Sequence, residues 1–284
     1  MPPEDARPNR IKIREMQLAD IPEADALRDA AGWNQTSQDW QTALIYQPRG
    51  CFVAVEETRI VGTVTTTSYG TDVGWIGMML VDPREQRKGI ATALMQVAID
   101  FLQKTGVRCI RLDATPVGQC VYTRLGFEAE WDFHRWERVS GPTIHVTSVP
   151  QVDAAMLSKP LLQLDQQAFG ANRCSWLKAV SGNSTCVADD DDGFGMVRNG
   201  SRASYLGPIV SRSVEGARRI LATLLNTIDG QVYWDIPGPN LAATEMAQSL
   251  GFSPVRVLTR MRRGPESVQP SYCLLYGLYD PGMG

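Results

Sequence analysis

Histidine is scarce in this sequence: His134 and His145 are the only two. Both lie away from the motifs described below, so surface or packing roles suit them better than that of a catalytic base. No Cys-x-x-Cys pair occurs. The six cysteines, Cys51, Cys109, Cys120, Cys174, Cys186 and Cys273, are scattered, most of them in apolar strand-like runs, which reads as buried free thiols and not as a metal site. An excess of charge of one sign is missing as well. Twenty-eight basic against 31 acidic side chains leave a net charge of −3, which offers no long-range attraction to nucleic acid or to an anionic membrane. No stretch approaches the ~18 uninterrupted apolar residues of a membrane span. Met1 to Arg10 likewise lacks the apolar core of a signal peptide. These absences point to a cytoplasmic, intracellular protein with a short disordered leader.

The remaining composition, 43% hydrophobic, 8% aromatic and 21% charged, is that of an ordinary globular chain. Its 284 residues suit two modules of roughly 130 to 150 residues. Ile11 to Arg14 alternates like a strand, and Asp20, Pro22 and Glu23 supply the start of a helix that stops near Gly32. A second short helix is expected over Gln38 to Tyr46. Cys51 to Val55 and Ile60 to Ser68 read as a hairpin, and Trp75 to Val81 as a further strand. From Ile90 the apolar positions Leu94, Val97, Ala98, Phe101 and Leu102 follow helical spacing, ending at Lys104 and Gly106. Cys109 to Ala114 resumes as strand. This strand, helix and strand order implies a right-handed parallel unit whose connecting loop opens into a helix N-terminus, a place where ligands bind.

The second half repeats the first. Leu125-Gly126-Phe127 precedes an alternating strand, Glu130 to Arg138, and Leu250-Gly251-Phe252 precedes another, Val255 to Arg263. The strand ending at Val81 is followed by the Ile90 helix. The strand ending at Val210 is followed by a helical run through Ala217, Ile220, Leu221 and Leu224. The offset is 129 residues at the valines and 125 at the triplets, so the second copy has lost about four residues between them. Val139 to Pro150, rich in Ser, Thr, Gly and Pro, is the expected join, with modules at 1–140 and 141–284. Each is expected to be an α+β unit, a mixed central sheet flanked by helices.

Between Val81 and Ile90 the sequence suits a phosphate. Gly89 lets backbone amides approach an oxyanion without a Cβ in the way, Ala91 keeps the next turn narrow, and the helix adds its positive end. Arg84, Arg87 and Lys88 add charge. An ordinary strand-to-helix turn with a solvated basic face is the alternative.

Gln86-Arg87-Lys88-Gly89-Ile90-Ala91 resembles the Gln/Arg-x-x-Gly-x-Gly/Ala signature of the GCN5-related N-acetyltransferase superfamily. Ala91 stands where Gly is commoner. Tyr122, ahead of Leu125-Gly126-Phe127, resembles that family's second motif, and the resemblance covers about Ile11 to Arg138. It implies acetyl-coenzyme A as co-substrate, with pantetheine along Met79, Leu80 and Val81 and pyrophosphate on amides from Gln86 and Arg87 through Lys88, Gly89, Ile90 and Ala91 to Thr92. It further implies direct attack by a primary amine without a covalent enzyme intermediate, and Tyr122 as the acid that protonates the leaving thiolate. Packing of Tyr122 on the sheet is the alternative.

Asp113 is a candidate base, with Glu128 and Asp72 behind it and a water relay to a distant carboxylate equally open. The second copy has Val210-Ser211-Arg212-Ser213-Val214-Glu215-Gly216-Ala217 in place of the signature and no tyrosine ahead of Leu250. Glu215 would place negative charge near a pyrophosphate, so this copy is not expected to bind coenzyme A. The run Asp189 to Asp192 suits a hairpin turn, and no metal is expected. Trp33, Asn34, Tyr46 and Tyr69 flank the acceptor side in relatives, suggesting a small-molecule amine or amino-acid-like acceptor. Nothing indicates a nucleic-acid or membrane partner, and an oligomer remains open. A non-enzymatic acyl-coenzyme A sensor is the rival reading.

Overall fold

The structure, a computed structural model, describes residues 11–141, 144–266 and 269–284. The expected leader, residues 1–10, lies outside them. The first half runs β1 (Ile11–Glu15), α1 (Ile21–Ala30), α2 (Ser37–Tyr46), β2 (Cys51–Glu56), β3 (Arg59–Tyr69), β4 (Val73–Val81), α3 (Ile90–Lys104), β5 (Cys109–Ala114), α4 (Pro116–Arg124) and β6 (Glu128–Arg138). The second runs β7 (Gln151–Val152), α5 (Lys159–Phe169), α6 (Cys174–Ser181), β8 (Ser184–Asp189), β9 (Gly193–Arg198), β10 (Ser204–Ser211), α7 (Val214–Leu225), β11 (Val232–Pro237), α8 (Leu241–Ser249), β12 (Ser253–Arg263) and β13 (Leu275–Gly277). The repeat seen in the sequence is a repeat of elements. In each half an antiparallel trio, β2-β3-β4 or β8-β9-β10, passes through a crossover helix to a parallel strand, β5 or β11. Asp189 to Asp192 forms the β8–β9 turn as expected.

The sheet does not stop at the join. Its order is β1-β2-β3-β4-β5-β12-β6-β11-β10-β9-β8-β7, with β13 added on β10. The long strand of each half has crossed into the other: β12 lies antiparallel to β5 with Arg260 opposite Asp113, and β6 lies antiparallel to β11 with Arg135 opposite Asp235. The order is close to a palindrome about the β12–β6 pair. Each half therefore contributes a mixed, helix-flanked portion, as the repeat implies, to one continuous 13-stranded sheet with β12 and β6 at its centre.

Three apolar clusters hold this sheet. One lies under α3 and one under α7. The third is common to both halves, bringing Trp40, Tyr69 and Trp75 against Leu164, Phe169, Trp176 and Tyr279. Burying one such aromatic contributes roughly 2 to 3 kcal/mol, so separating the halves would expose several contributions of that size. Tyr69 and Tyr46 belong to this core: Tyr69 meets Phe169 at 5.0 Å and Tyr46 meets Trp176 at 5.1 Å, both edge-on. Cys51, Cys109 and Cys186 are buried on strands, whereas Cys120 and Cys273 are exposed, fewer buried thiols than the pattern suggested.

Candidate functional site

The loop after β4 builds a helix N-terminus with open donors. Asp82 accepts from the Arg84 amide at 2.9 Å, and its carboxylate also receives the Arg84 and Arg59 guanidiniums at 2.9 and 2.5 Å. The hydrogen bond from Arg84 holds that carboxyl at about 2. Lys88 is tied to Glu85 at 2.6 Å. Of the three basic residues in the loop, only Arg87 has no hydrogen-bonding or ion-pairing partner among the described residues. Gly89 caps α3 with φ +83°, and the space where a Cβ would stand is empty to 4 Å. The first helical bond runs from the Ala93 amide to the Gly89 carbonyl at 3.0 Å. The amides of Gly89, Ile90, Ala91 and Thr92 thus have no acceptor among the described residues, and no acidic side chain occupies the first turn. Such donors at the positive end of a helix are an anion site.

Beside this loop the sheet opens. The parallel pairing of β4 and β5 covers only Val73 to Trp75 against Cys109 to Arg111. Beyond it the β5-facing edge of β4, through Met79, Leu80 and Val81, has no strand partner among the described residues. A bulge marks the divergence: Met78 has φ +49°, the register on β3 shifts between Thr63 and Thr65, and the Thr63 hydroxyl donates to the Met78 carbonyl at 2.7 Å.

A cavity of about 120 Å³ lies at the divergence. Met78, Met79, Asp113 and Tyr122 line it from the first half. Trp33 and Asn34 reach it from the segment between α1 and α2, so two of the four acceptor-side residues are at the site and Tyr46 and Tyr69 are not. Tyr122 sits on α4 with its ring edge-on to Phe127 at 6.3 Å. Gly118, one turn earlier, permits this placement, since a Cβ there would stand 2.9 Å from the Tyr122 ring. Burial pushes the phenol up to about 12, so it stays protonated through the neutral range. A larger open cleft of about 630 Å³ between α2, α6 and β9 contains none of the motif residues, and its one arginine, Arg198, is already paired with Asp39 and Asp280.

The Asp113 side chain is fully buried and accepts from Arg260 Nε and Nη2 at 2.9 and 3.0 Å. Burial pushes its carboxyl up to about 6 although Arg260 pulls the other way. Arg260 is sandwiched by Trp75 and Trp131 at 4.5 and 4.6 Å. The same construction recurs across the palindrome: Asp235 holds Arg135 at 2.8 and 2.7 Å, under the rings of Tyr205 and Tyr233. Asp72 pairs with Arg108, and Glu128 stands 3.7 Å from Arg262 with an exposed side chain; neither lines the cavity.

Arg135 reaches the cavity from the exchanged strand β6, and residues from the second half complete it: Tyr205, Arg256, Leu258, Pro281 and Gly282. Sequence reasoning missed all of them, because the strand exchange brings them there. One signal was available: the 125-residue offset of the Leu-Gly-Phe triplets also relates Arg135 to Arg260.

The second half has the same divergence, with β10 and β11 paired only over Ser204 to Leu206 and Val232 to Trp234. There β13 fills it, pairing Ile209 with Gly277 and Val210 with Leu275, while the Trp234 indole donates to the Tyr276 carbonyl at 2.9 Å. The α7 N-terminus is closed too. Ser213 accepts from the Gly216 amide at 2.9 Å and donates to Asp192 at 2.7 Å, and a Cβ on Gly216 would lie 1.8 Å from that carboxylate. The negative charge expected from Glu215 comes from Asp192 instead, since Glu215 is exposed and 3.9 Å from Arg219.

No group of three or more His, Cys, Asp or Glu side chains able to hold a metal occurs among the described residues, and none of their helices is long and apolar enough to cross a membrane. Residues 14–127 match a family model described as acetyltransferase (GNAT) family, and residues 161–277 match one described as acetyltransferase (GNAT) domain. No curated protein matches the chain. Among solved structures, a Pyrococcus horikoshii protein described as a candidate acetyltransferase is 26% identical, with a TM-score of 0.88 over 99% of this chain and 98% of its own. A tandem GNAT protein from the clavulanic acid biosynthesis pathway shares the fold at 15% identity, TM-score 0.65, over 89% of this chain and 98% of its own. A GCN5-related N-acetyltransferase from Sphaerobacter thermophilus does so at 12%, TM-score 0.65, over 93% and 99%.

Proposed function

Because both halves of the chain belong to the GCN5-related N-acetyltransferase superfamily, we propose that the first module moves an acetyl or short acyl group from acyl-coenzyme A to a primary amine, and that the second module binds no coenzyme. The observation that carries this reading is the asymmetry of the two helix N-termini: four amides at Gly89 to Thr92 have no acceptor among the described residues, whereas α7 is capped by Ser213, whose hydroxyl donates to Asp192. In this reading the pyrophosphate accepts from those amides, Arg87 adds its free charge, and pantetheine runs along the unpaired edge of Met79 to Val81. The thioester carbon then lies over the cavity at Tyr122.

The amine nitrogen attacks that carbon, the C–S bond breaks, and the thiolate takes the phenolic proton of Tyr122. The proton lost by the nitrogen returns through water to the phenolate, so Tyr122 ends as it began. For Asp113 we infer a holding role. Both its oxygens are engaged by Arg260, and the half that lacks a cradle keeps the same pair in Asp235 and Arg135. A group present in both copies answers a need that both copies share, namely fixing the exchanged strand. The sensor reading has no use for a protonated phenol in the cavity, and that favours transfer. The deciding measurement is thiol release from acetyl-coenzyme A across a panel of amines. Binding of the coenzyme with no release for any amine sinks the enzyme reading and leaves the sensor.

A further inference from the structure

We propose that the acceptor is a small amine bearing a carboxylate, an amino acid, and that Arg256 and Tyr205 bind that carboxylate. The inference rests on the acyl-transfer reading of the same cavity. Three charged side chains line the cavity, and two of them are balanced: Asp113 by Arg260 and Arg135 by Asp235. Arg256 has neither a hydrogen-bonding nor an ion-pairing partner among the described residues, so the cavity keeps one positive charge without a counterpart. A half-buried guanidinium left so is costly unless a ligand supplies the anion.

Core packing does not ask for an arginine here. The 125-residue offset makes Trp131 the repeat-mate of Arg256, and Trp131 packs against Phe133 and Tyr272 at 5.9 and 5.1 Å. In one copy the position is filled by an aromatic ring; in the other it carries charge into the cavity, beside a register shift between Pro254 and Arg256.

Tyr205 gives an independent indication. It is 1% exposed and lines the same cavity, and its hydroxyl has no partner. A buried hydroxyl without a partner costs about 1 to 3 kcal/mol. A guanidinium can only donate and a phenol donates readily, so both are satisfied by one ligand rich in acceptors, which is what a carboxylate is. Burial and the neighbouring Arg135 disfavour the charged form of Arg256, a burden that a bound anion relieves. At about 120 Å³ the cavity holds on the order of four water molecules, which suits a short amino acid and excludes a folded peptide.

The experiment compares thiol release from acetyl-coenzyme A with each of a set of amino acids and with the matching amino-acid amides, for the full chain and for Arg256→Gln, Arg256→Lys and Tyr205→Phe. The expected result is a kcat/KM for the best amino acid about 100-fold above that for its amide, most of it in KM. Arg256→Gln should shrink the ratio to within about threefold, and Arg256→Lys should keep an intermediate preference. Tyr205→Phe should lower the ratio by about fivefold. Unaltered melting temperatures and coenzyme affinity keep a folding defect from imitating the result. Amides used as well as acids, or a ratio that Arg256→Gln leaves untouched, overturn the assignment. A carboxylate carried by the acyl group instead would appear as a preference for succinyl- over acetyl-coenzyme A that Arg256→Gln abolishes, and that too overturns it. If no amine releases thiol from either donor, the acyl-transfer reading is what fails. Calorimetry of amino acid against amide binding, in wild type and Arg256→Gln, then still decides the carboxylate site: tighter acid binding lost in the variant upholds it, and equal binding overturns it.

Discussion

The N-termini of α3 and α7 occupy equivalent places in two copies of one fold, yet the first has open amides while the second is closed by the chain itself. At α7 the Asp192 carboxylate accepts from the capping Ser213 hydroxyl, and β13 fills the divergence that in the first half stays open. The comparison teaches that, on the proposed reading, a binding site is retired without dismantling its scaffold. The divergent strands, the crossover helix and the buried Asp–Arg pair all persist in the second copy. What differs is that β13 and the Ser213–Asp192 pair occupy the places left open in the first copy.

The largest effect that could break this comparison concerns what the copies share. Asp113→Ala and Asp235→Ala should each destabilise the chain by about 3 to 5 kcal/mol in urea unfolding, because each leaves a buried guanidinium unpaired. A large cost at one site and a negligible one at the other would end the equivalence. Tyr122→Phe comes next, with kcat expected to fall about 100- to 1000-fold at little change in KM; unchanged kcat would return Tyr122 to a packing role. Gly89→Glu puts a side chain at φ +83° and a carboxylate among the open amides, so coenzyme affinity measured by calorimetry should fall about 100-fold. Asp192→Ala should cost only about 1 kcal/mol, as the lost partner of the Ser213 cap and a lost negative charge at the helix N-terminus, and should create no coenzyme site, since β13 still fills the groove.

A pH series sharpens the role of Asp113. Its carboxyl titrates near 3.8 when unfolded and is pushed up to about 6 when folded, so the folded state holds the proton more tightly. The associated stability is present below pH ~4 and lost as pH rises through ~6. Asp113→Asn should flatten that slope in the unfolding free energy. If Asp113 served as base, kcat/KM would also climb through pH ~6 and the asparagine variant would erase the limb. In the holding role the limb, if present, survives.

Much of this was legible in the sequence, and the reason is locality. The spacing from Ile90 to Leu102 and the alternation of Cys51 to Val55 depend on neighbours within a few residues, so α3 and β2 fall where periodicity puts them. The Gly89 loop was legible for the same reason. The strand exchange was not. Alternation in β6 and β12 tells which face is buried and leaves the partner strand open, and either could pair with β5. Because Arg256 and Tyr205 reach the cavity only through that exchange, no local pattern could place them there. A three-residue strand such as β13 is too short to announce itself, and its meaning lies in the gap it fills.

The exchanged strands also set an order on biosynthesis. Asp113 leaves the ribosome 147 residues before Arg260, which at roughly 5 to 20 residues per second is an interval of about 7 to 30 seconds. During it β5 lacks its final partner β12, while β6, with Arg135 at the place equivalent to Arg260, is made soon after it. The nascent first module can complete itself provisionally with its own last strand and surrender it when β12 arrives. The strand order is that of two copies with exchanged last strands joined in one chain, and stalling translation between residues 140 and 250 should trap the unswapped form, detectable as protection of the 128–138 segment from proteolysis.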